Sequence, residues 1–167
     1  MQQQKNQFST KLTQIIATFF FVGKISKAPG TFGTLATIPL WFCLSHLNIV
    51  SYMVSIIVLI IVGVVSAQFY QKISGEHDSK EVVIDEVVGF LITMTWLPVT
   101  WQSVVFGFVL FRFFDIVKPP PIRQFDRKIK GGVGVMVDDI AAGLICNIIL
   151  QLIYIHTSWL GAQIQTF

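Results

Sequence analysis

The sequence predicts an all-α, polytopic membrane protein: two helical hairpins, a C-terminal membrane helix and a short N-terminal interfacial helix, forming one domain over residues 1–167. Three observations predict it. Charged residues make up 13% of the chain and apolar types 53%, where a soluble domain carries about 25% charged residues. A chain this apolar cannot hide all of its apolar surface within itself, so lipid becomes its solvent. Every Lys and Arg falls in one of four short stretches, and the acids share two of those stretches. The net charge of +3 leaves no electrostatic footprint for nucleic acid.

The elements follow in order. Lys5 and Lys11 precede the apolar stretch Leu12 to Val22, which has the outline of a secretory leader with Ser26 and Ala28 near the cut. About 11 apolar residues rise only about 16 Å, however, against a hydrocarbon core of about 30 Å, and Pro29 would follow the cleavage point. An interfacial helix is the better reading, with residues 1–11 and their Gln run expected to be flexible. The remaining bases are Lys24 and Lys27, then Lys72 and Lys80, then Arg112, Lys118, Arg123, Arg127, Lys128 and Lys130. The acids are Glu76, Asp78, Glu81, Asp85 and Glu86, followed by Asp115, Asp126, Asp138 and Asp139. Residues 45–51, 96–102 and the tail from His156 carry no Lys, Arg, Asp or Glu.

Such segregation follows if the charged loops share one side of a membrane, and the excess of Lys and Arg assigns that side to the cytoplasm. Each apolar stretch between charged loops then crosses an even number of times. Thr34 to Tyr70 is predicted to be a hairpin turning at Ser45 to Asn48. Ser79 to Lys118 is predicted to be a second, with helices from Ser79 to Trp96 and from Gln102 to Lys118 turning around Pro98. One helix over Val87 to Phe111 is the alternative, but it would put the six bases of the third charged loop outside. Ile140 to Ile155 is a last single crossing. Cys43 and Cys146 lie in apolar runs and read as small core hydrophobes.

Three polar patches share the charged face. In Lys24 to Thr34, Pro29 and Gly30 make a turn, Gly33 admits close backbone approach, and Thr31 or Thr34 caps the following helix. Free N–H groups there, with Lys27 nearby, suit an anion. In the second patch Ser79 reads as a helix start. Asp85 and Glu86 then stand just before lipid-level residues, where ionisable groups line a polar cavity or bind a cation. In the third, Arg112, Asp115 and Lys118 recur at helical spacing before three prolines. Gly131 to Gly134 reads as a flexible turn, and Asp138 and Asp139 as the start of the last helix. Lys128 and Lys130 read as bases gripping anionic lipid. Carboxylates for Mg2+ and guanidinium for phosphate suit phosphoryl hydrolysis; the same inventory could serve a non-enzymatic membrane carrier of phosphate or a cation.

These patches resemble the phosphatidylglycerophosphatase A family in the strings Pro29 to Leu35, Val83 to Gly89, Phe111 to Arg123 and Gly131 to Gly143. The resemblance implies a bacterial inner-membrane lipid phosphatase working on the cytoplasmic side. Its substrate and lipid partner would be phosphatidylglycerophosphate, its product phosphatidylglycerol, and its cofactor Mg2+. It implies catalytic roles for Asp85, Glu86, Arg112, Asp115, Lys118, Asp138 and Asp139, with Asp126 a further acid of the motif. Metal binding is expected from Asp78, Asp85, Glu86, Asp138 and Asp139. Phosphate binding is expected from Lys27, Gly30, Thr31, Gly33, Thr34, Arg112, Lys118, Arg123 and Arg127. Ile84 and Pro120 stand where many members carry aromatic residues, and neither position supplies a charge.

Overall fold

The computed structural model describes residues 2–75, 79–120, 122–123 and 129–161, with the backbone alone for 2–9. The described residues form six α-helices, one 3-10 turn and no strand. The helices are α1 (Gln2–Ala17), α2 (Pro29–Leu44), α3 (Ile49–Ser74), α4 (Ile84–Thr93), α5 (Trp101–Val117) and α6 (Gly131–His156). Among them α3 and α6, 26 residues each, are long and apolar enough to cross a membrane.

Both long helices are divided lengthwise. On α3 the side chains of Val50, Val54, Ile57, Ile61 and Val65 face outward, while Tyr52, Ile56, Gly63, Ser66, Ala67 and Tyr70 are buried. On α6 the outward row is Leu144, Ile148, Leu152 and Ile155, and the buried row includes Asp139, Ala142, Gly143, Cys146 and Leu150. The spacing of three and four residues is that of one helix face. Here both faces are largely apolar, as expected where the surroundings are lipid. Cys146 fits the expected core role, whereas Cys43 sits on the exposed side of α2, and both are free thiols.

The helix at the centre is α4. It contacts α2, α3, α5 and α6, and from Val87 to Thr93 every residue is buried. Its close crossing with α6 depends on paired small residues. A Cβ on Gly89 would lie 2.8 Å from the Asp139 carbonyl oxygen, and one on Gly143 would lie 3.2 Å from Ile92 Cβ. With 10 residues, α4 rises only about 15 Å. It is therefore much shorter than the predicted limb from Ser79 to Trp96. Residues 79–83 form a turn and extended segment, tied down where Val83 N–H donates to the Ala17 carbonyl at 2.9 Å. The chain turns over residues 94–100 before α5, so a continuous helix over Val87 to Phe111 is excluded.

The predicted turn between α2 and α3 falls at residues 45–48, where the Asn48 side chain accepts from Ser51 N–H at 2.9 Å. This turn and the α4–α5 turn lie at the same end, since Ser45, Leu47, Met94, Trp96 and Leu97 line one small cavity. The C-terminal segment joins them, because Thr100 Oγ1 donates to the Leu160 carbonyl at 2.6 Å. At the other end stand the start of α2, the start of α4, the last turns of α5 and the first turns of α6. The N-terminal helix begins at Gln2 rather than Leu12 and lies along α3. It stops at Ala17, where Thr18 Oγ1 donates to the Gln14 carbonyl and accepts from Phe21 N–H. Phe19, Phe20 and Phe21 then take left-handed φ values.

Candidate active site

Four chain segments build most of a cavity of about 570 Å3 at the charged end. The first is the start of α2. Ala28 takes a left-handed φ of 51° and Pro29 opens the helix, which needs no N–H at that position. Pro29 and Gly30 are thus helical, not a turn ahead of the helix. Thr34 sits inside α2 with its hydroxyl bonded to the Gly30 carbonyl at 2.9 Å, and no side chain caps the start. The second segment is the first turn of α4, which presents Asp85 and Glu86. The third is the end of α5, where Arg112, Asp115 and Lys118 recur every three residues. The fourth is α6, in which Asp138 and Asp139 lie in the third turn rather than at the helix start. The expected flexible turn from Gly131 to Gly134 is the first turn of α6, which the chain enters at Gly131 with a left-handed φ of 76°. It is helical because its small residues let α6 approach α3 closely: a Cβ on Gly132 would lie 2.8 Å from the Gln68 nitrogen, and Gly132 N–H donates to Gln68 Oε1 at 2.8 Å.

The floor of the cavity is acidic. Carboxylate oxygens of Asp85, Glu86 and Asp139 lie within 4.8 Å of one another. Asp139 is 3% exposed, and the side chains of Glu86, Arg112 and Asp115 are each 14% exposed. Arg112 forms an ion pair with Asp115 and lies 3.7 Å from Glu86. Lys118, which closes α5 with a φ of 44°, pairs with Asp138. Asp85 Oδ1, Glu86 Oε2 and Arg112 Nε are buried without a hydrogen-bond partner among the described residues. Gly30 leaves room for this group, since a Cβ there would run into Glu86 Oε1 and come within 3.0 Å of Arg112 Nη1.

Burying five carboxylates around Arg112 and Lys118 leaves an excess of negative charge in a poorly solvated place, which is costly unless a cation joins them. The converging donors are all oxygen, the chemistry that suits a hard divalent ion such as Mg2+. The residues therefore fit such an ion, and Asp85, Glu86 and Asp139 are those placed to hold it. Asp138 belongs to the expected metal set and also lines the cavity, where its carboxylate pairs with Lys118.

The other expected residues divide. Gly30, Arg112, Asp115 and Lys118 line the cavity. Gly33 packs against Val83 instead, where a Cβ would meet Val83 Cβ at 2.8 Å. Thr31, whose N–H donates to the Ala28 carbonyl at 3.0 Å, and Thr34 stand outside the cavity lining. Lys27 and Arg123 are exposed and stand outside the cavity lining. Asp78, Asp126 and Arg127 fall outside the described residues. Four lining residues with polar or charged side chains were not expected there: Gln71, Ser79, Lys80 and Lys130. Ser79 is buried in the wall rather than starting a helix, and Lys130 is at the cavity rather than only among lipid-gripping bases.

Fold and site together define a helical protein with two helices long and apolar enough to cross a membrane and, among the described residues, a polar cavity equipped with carboxylates and bases for phosphoryl chemistry. The chain belongs to the phosphatidylglycerophosphatase A family, whose profile matches residues 15–154, and is thus a phosphatase. It is 42% identical over 143 residues to phosphatidylglycerophosphatase A of Escherichia coli K12, covering 85% of this chain and 83% of that one. It is 38% identical over 138 residues to the protein of the same name from Haemophilus influenzae, covering 81% and 85%. A Bacteroides thetaiotaomicron protein provisionally named a phosphatidylinositol-3-phosphatase is 37% identical over 147 residues, covering 83% and 91%. No solved structure matches the chain.

Proposed function

We propose that the protein hydrolyses phosphatidylglycerophosphate to phosphatidylglycerol and inorganic phosphate, with Mg2+ as cofactor, at the cytoplasmic face of a bacterial inner membrane. The convergence of Asp85, Glu86 and Asp139 beside Arg112 in a cavity at the charged end carries this reading. The names of the first two relatives supply the substrate. With α2 to α6 as membrane segments, the charged loops share one side and the excess of bases makes it the cytoplasmic one. In this arrangement α4 enters as a short buried segment. Its ionisable first turn stays near the head groups while the acyl chains remain in the bilayer.

Asp85, Glu86 and Asp139 would hold Mg2+, which when bound supplies charge neutralisation and Lewis-acid polarisation of the phosphoryl group. Arg112 donates from Nε, and Lys118 from its ammonium, to the non-bridging phosphate oxygens where charge accumulates. Asp115 holds the Arg112 guanidinium in place. A water oxygen joins phosphorus as the bond from phosphorus to the glycerol oxygen breaks, and one proton of that water ends on the departing glycerol oxygen, which becomes a hydroxyl. A carrier would need a route through the protein. The cavity at the opposite end is lined by Trp41, Ser45, Tyr52, Met94 and neighbours without a charged group, which favours hydrolysis.

The test is phosphate release from phosphatidylglycerophosphate by the detergent-purified protein, with Mg2+ and then with chelator. Release that requires the metal is expected. An intact lipid under every metal condition would overturn the proposal.

A further inference from the structure

The cavity is far larger than a phosphate group and an ion require, and its polarity is graded. Acids and Arg112 line its buried floor, whereas the exposed Lys80 and Lys130 line its mouth. The two lysines come from separate segments, the turn before α4 and the residue capping α6. The same cavity is lined by Ser79, which is 6% exposed, and by Gln71 on the last turn of α3. A phosphate on the floor needs none of these four residues. A head group with a second phosphate does, because the polyol between the two phosphates sets them apart and the outer one comes to lie toward the mouth.

We propose that Lys80 and Lys130, with Ser79 beside them, form a second anion subsite that takes the bridging phosphodiester of the lipid while its terminal monoester lies over the carboxylate floor. This rests on the proposed hydrolysis and names the residues that recognise the second phosphate of its substrate. The diester is not cleaved. It is held at the mouth as a point of recognition, by ammonium groups acting as point charges and by a hydroxyl donor. The same arrangement keeps the reacting phosphorus at one depth, since the lipid is fixed at two places.

The experiment compares K80Q/K130Q, K80R/K130R and K72Q with the unaltered protein in mixed micelles of fixed anionic-lipid content. Lys72 is the control for general surface charge: it lies over the Phe69 ring at 5.6 Å and does not line the cavity. The readouts are KM and kcat for phosphatidylglycerophosphate and the inhibition constant of inorganic phosphate, which needs the floor alone. For K80Q/K130Q, KM is expected to rise about tenfold or more, with kcat changed less than about twofold. Inhibition by inorganic phosphate should stay as it is, and K80R/K130R should restore most of the KM. An unchanged KM overturns the subsite. So does an equal rise in K72Q, which would mean surface attraction only, or a matching loss of phosphate inhibition, which would mean a disturbed floor. Absence of release by the unaltered protein is a different result: it overturns the proposed hydrolysis and the subsite with it.

Discussion

At the uncharged end of the bundle, the short helix α4 stops among apolar neighbours and its last carbonyls are met by side chains. Asn147 Nδ2 donates to the Thr93 and Thr95 carbonyls at 3.0 and 2.8 Å, Gln151 Nε2 donates to Thr95 at 2.9 Å, and the Tyr52 hydroxyl donates to Leu91 at 2.8 Å. At the charged end the same helix begins with Asp85 and Glu86, and Asp85 Oδ1, Glu86 Oε2 and Arg112 Nε are left without partners among the described residues. The two ends face one constraint, since a buried polar group without a partner is costly. One end meets it with neutral amides and hydroxyls and is complete. The other holds hydrogen-bonding capacity in reserve, which is what a site for a cation and an anion requires.

The largest effects should come from the reserved groups. Asp85→Asn or Asp139→Asn removes one negative ligand from the converging set while keeping its shape. Phosphate release is expected to fall at least about 100-fold, with thermal unfolding in detergent nearly unchanged or slightly raised because an acid-on-acid repulsion is relieved. Activity near that of the unaltered protein would remove that carboxylate from the site and blur the contrast between the ends.

A smaller loss should follow a substitution that adds only a methyl group. Gly30→Ala places a Cβ against Glu86 Oε1 and 3.0 Å from Arg112 Nη1, so the two charged groups must shift. Displacements of this kind at a reacting site cost activity steeply, here about 10- to 100-fold. Alanine is also the better helix former, by about 1 kcal/mol, so the fold should not weaken. A fall in stability without a fall in turnover would show that Gly30 serves packing of α2 and not the site.

The sequence displays the charged end well and the uncharged end poorly, for a physical reason. Clustered Asp, Glu, Lys and Arg in an apolar chain are conspicuous, so Asp85, Glu86, Arg112, Asp115, Lys118 and Asp139 all stand out from the order of residues alone. The turn at residues 45–48 is legible too, because polar residues interrupt an apolar run there. The extent of α4 is not. Its apolar residues continue past Thr93, and the carbonyls at its end meet donors on α3 and α6, distant in the chain. Local propensity also misleads at Gly131 to Gly134 and at Pro29-Gly30. Glycine suggests a turn and Gly131 does take a left-handed φ, but Gly132 against α3 and Gly30 against the Glu86–Arg112 pair use its small size inside helices. Lys130 is readable as a base but not as part of the cavity, since its role depends on where α6 begins.

The complete end should respond in the opposite sense, losing stability and keeping turnover per folded molecule. Asn147→Leu leaves the Thr93 carbonyl without its side-chain donor, whereas the Thr95 carbonyl keeps Gln151. One newly unmet carbonyl should cost about 1–2 kcal/mol, read as a lower midpoint of thermal unfolding in detergent. Tyr52→Phe should cost less, under about 1 kcal/mol. The Leu91 carbonyl it abandons still accepts from Thr95 Oγ1 at 3.2 Å, and the ring keeps its packing. The order of the two variants is the informative part. If Tyr52→Phe proved the more damaging, the hydroxyl on α3 rather than the amide on α6 would be what ends α4. If either variant lowered turnover of the folded fraction as strongly as Gly30→Ala, the two ends of α4 would be coupled. The depth of Asp85 and Glu86 would then be set from the far end of their own helix.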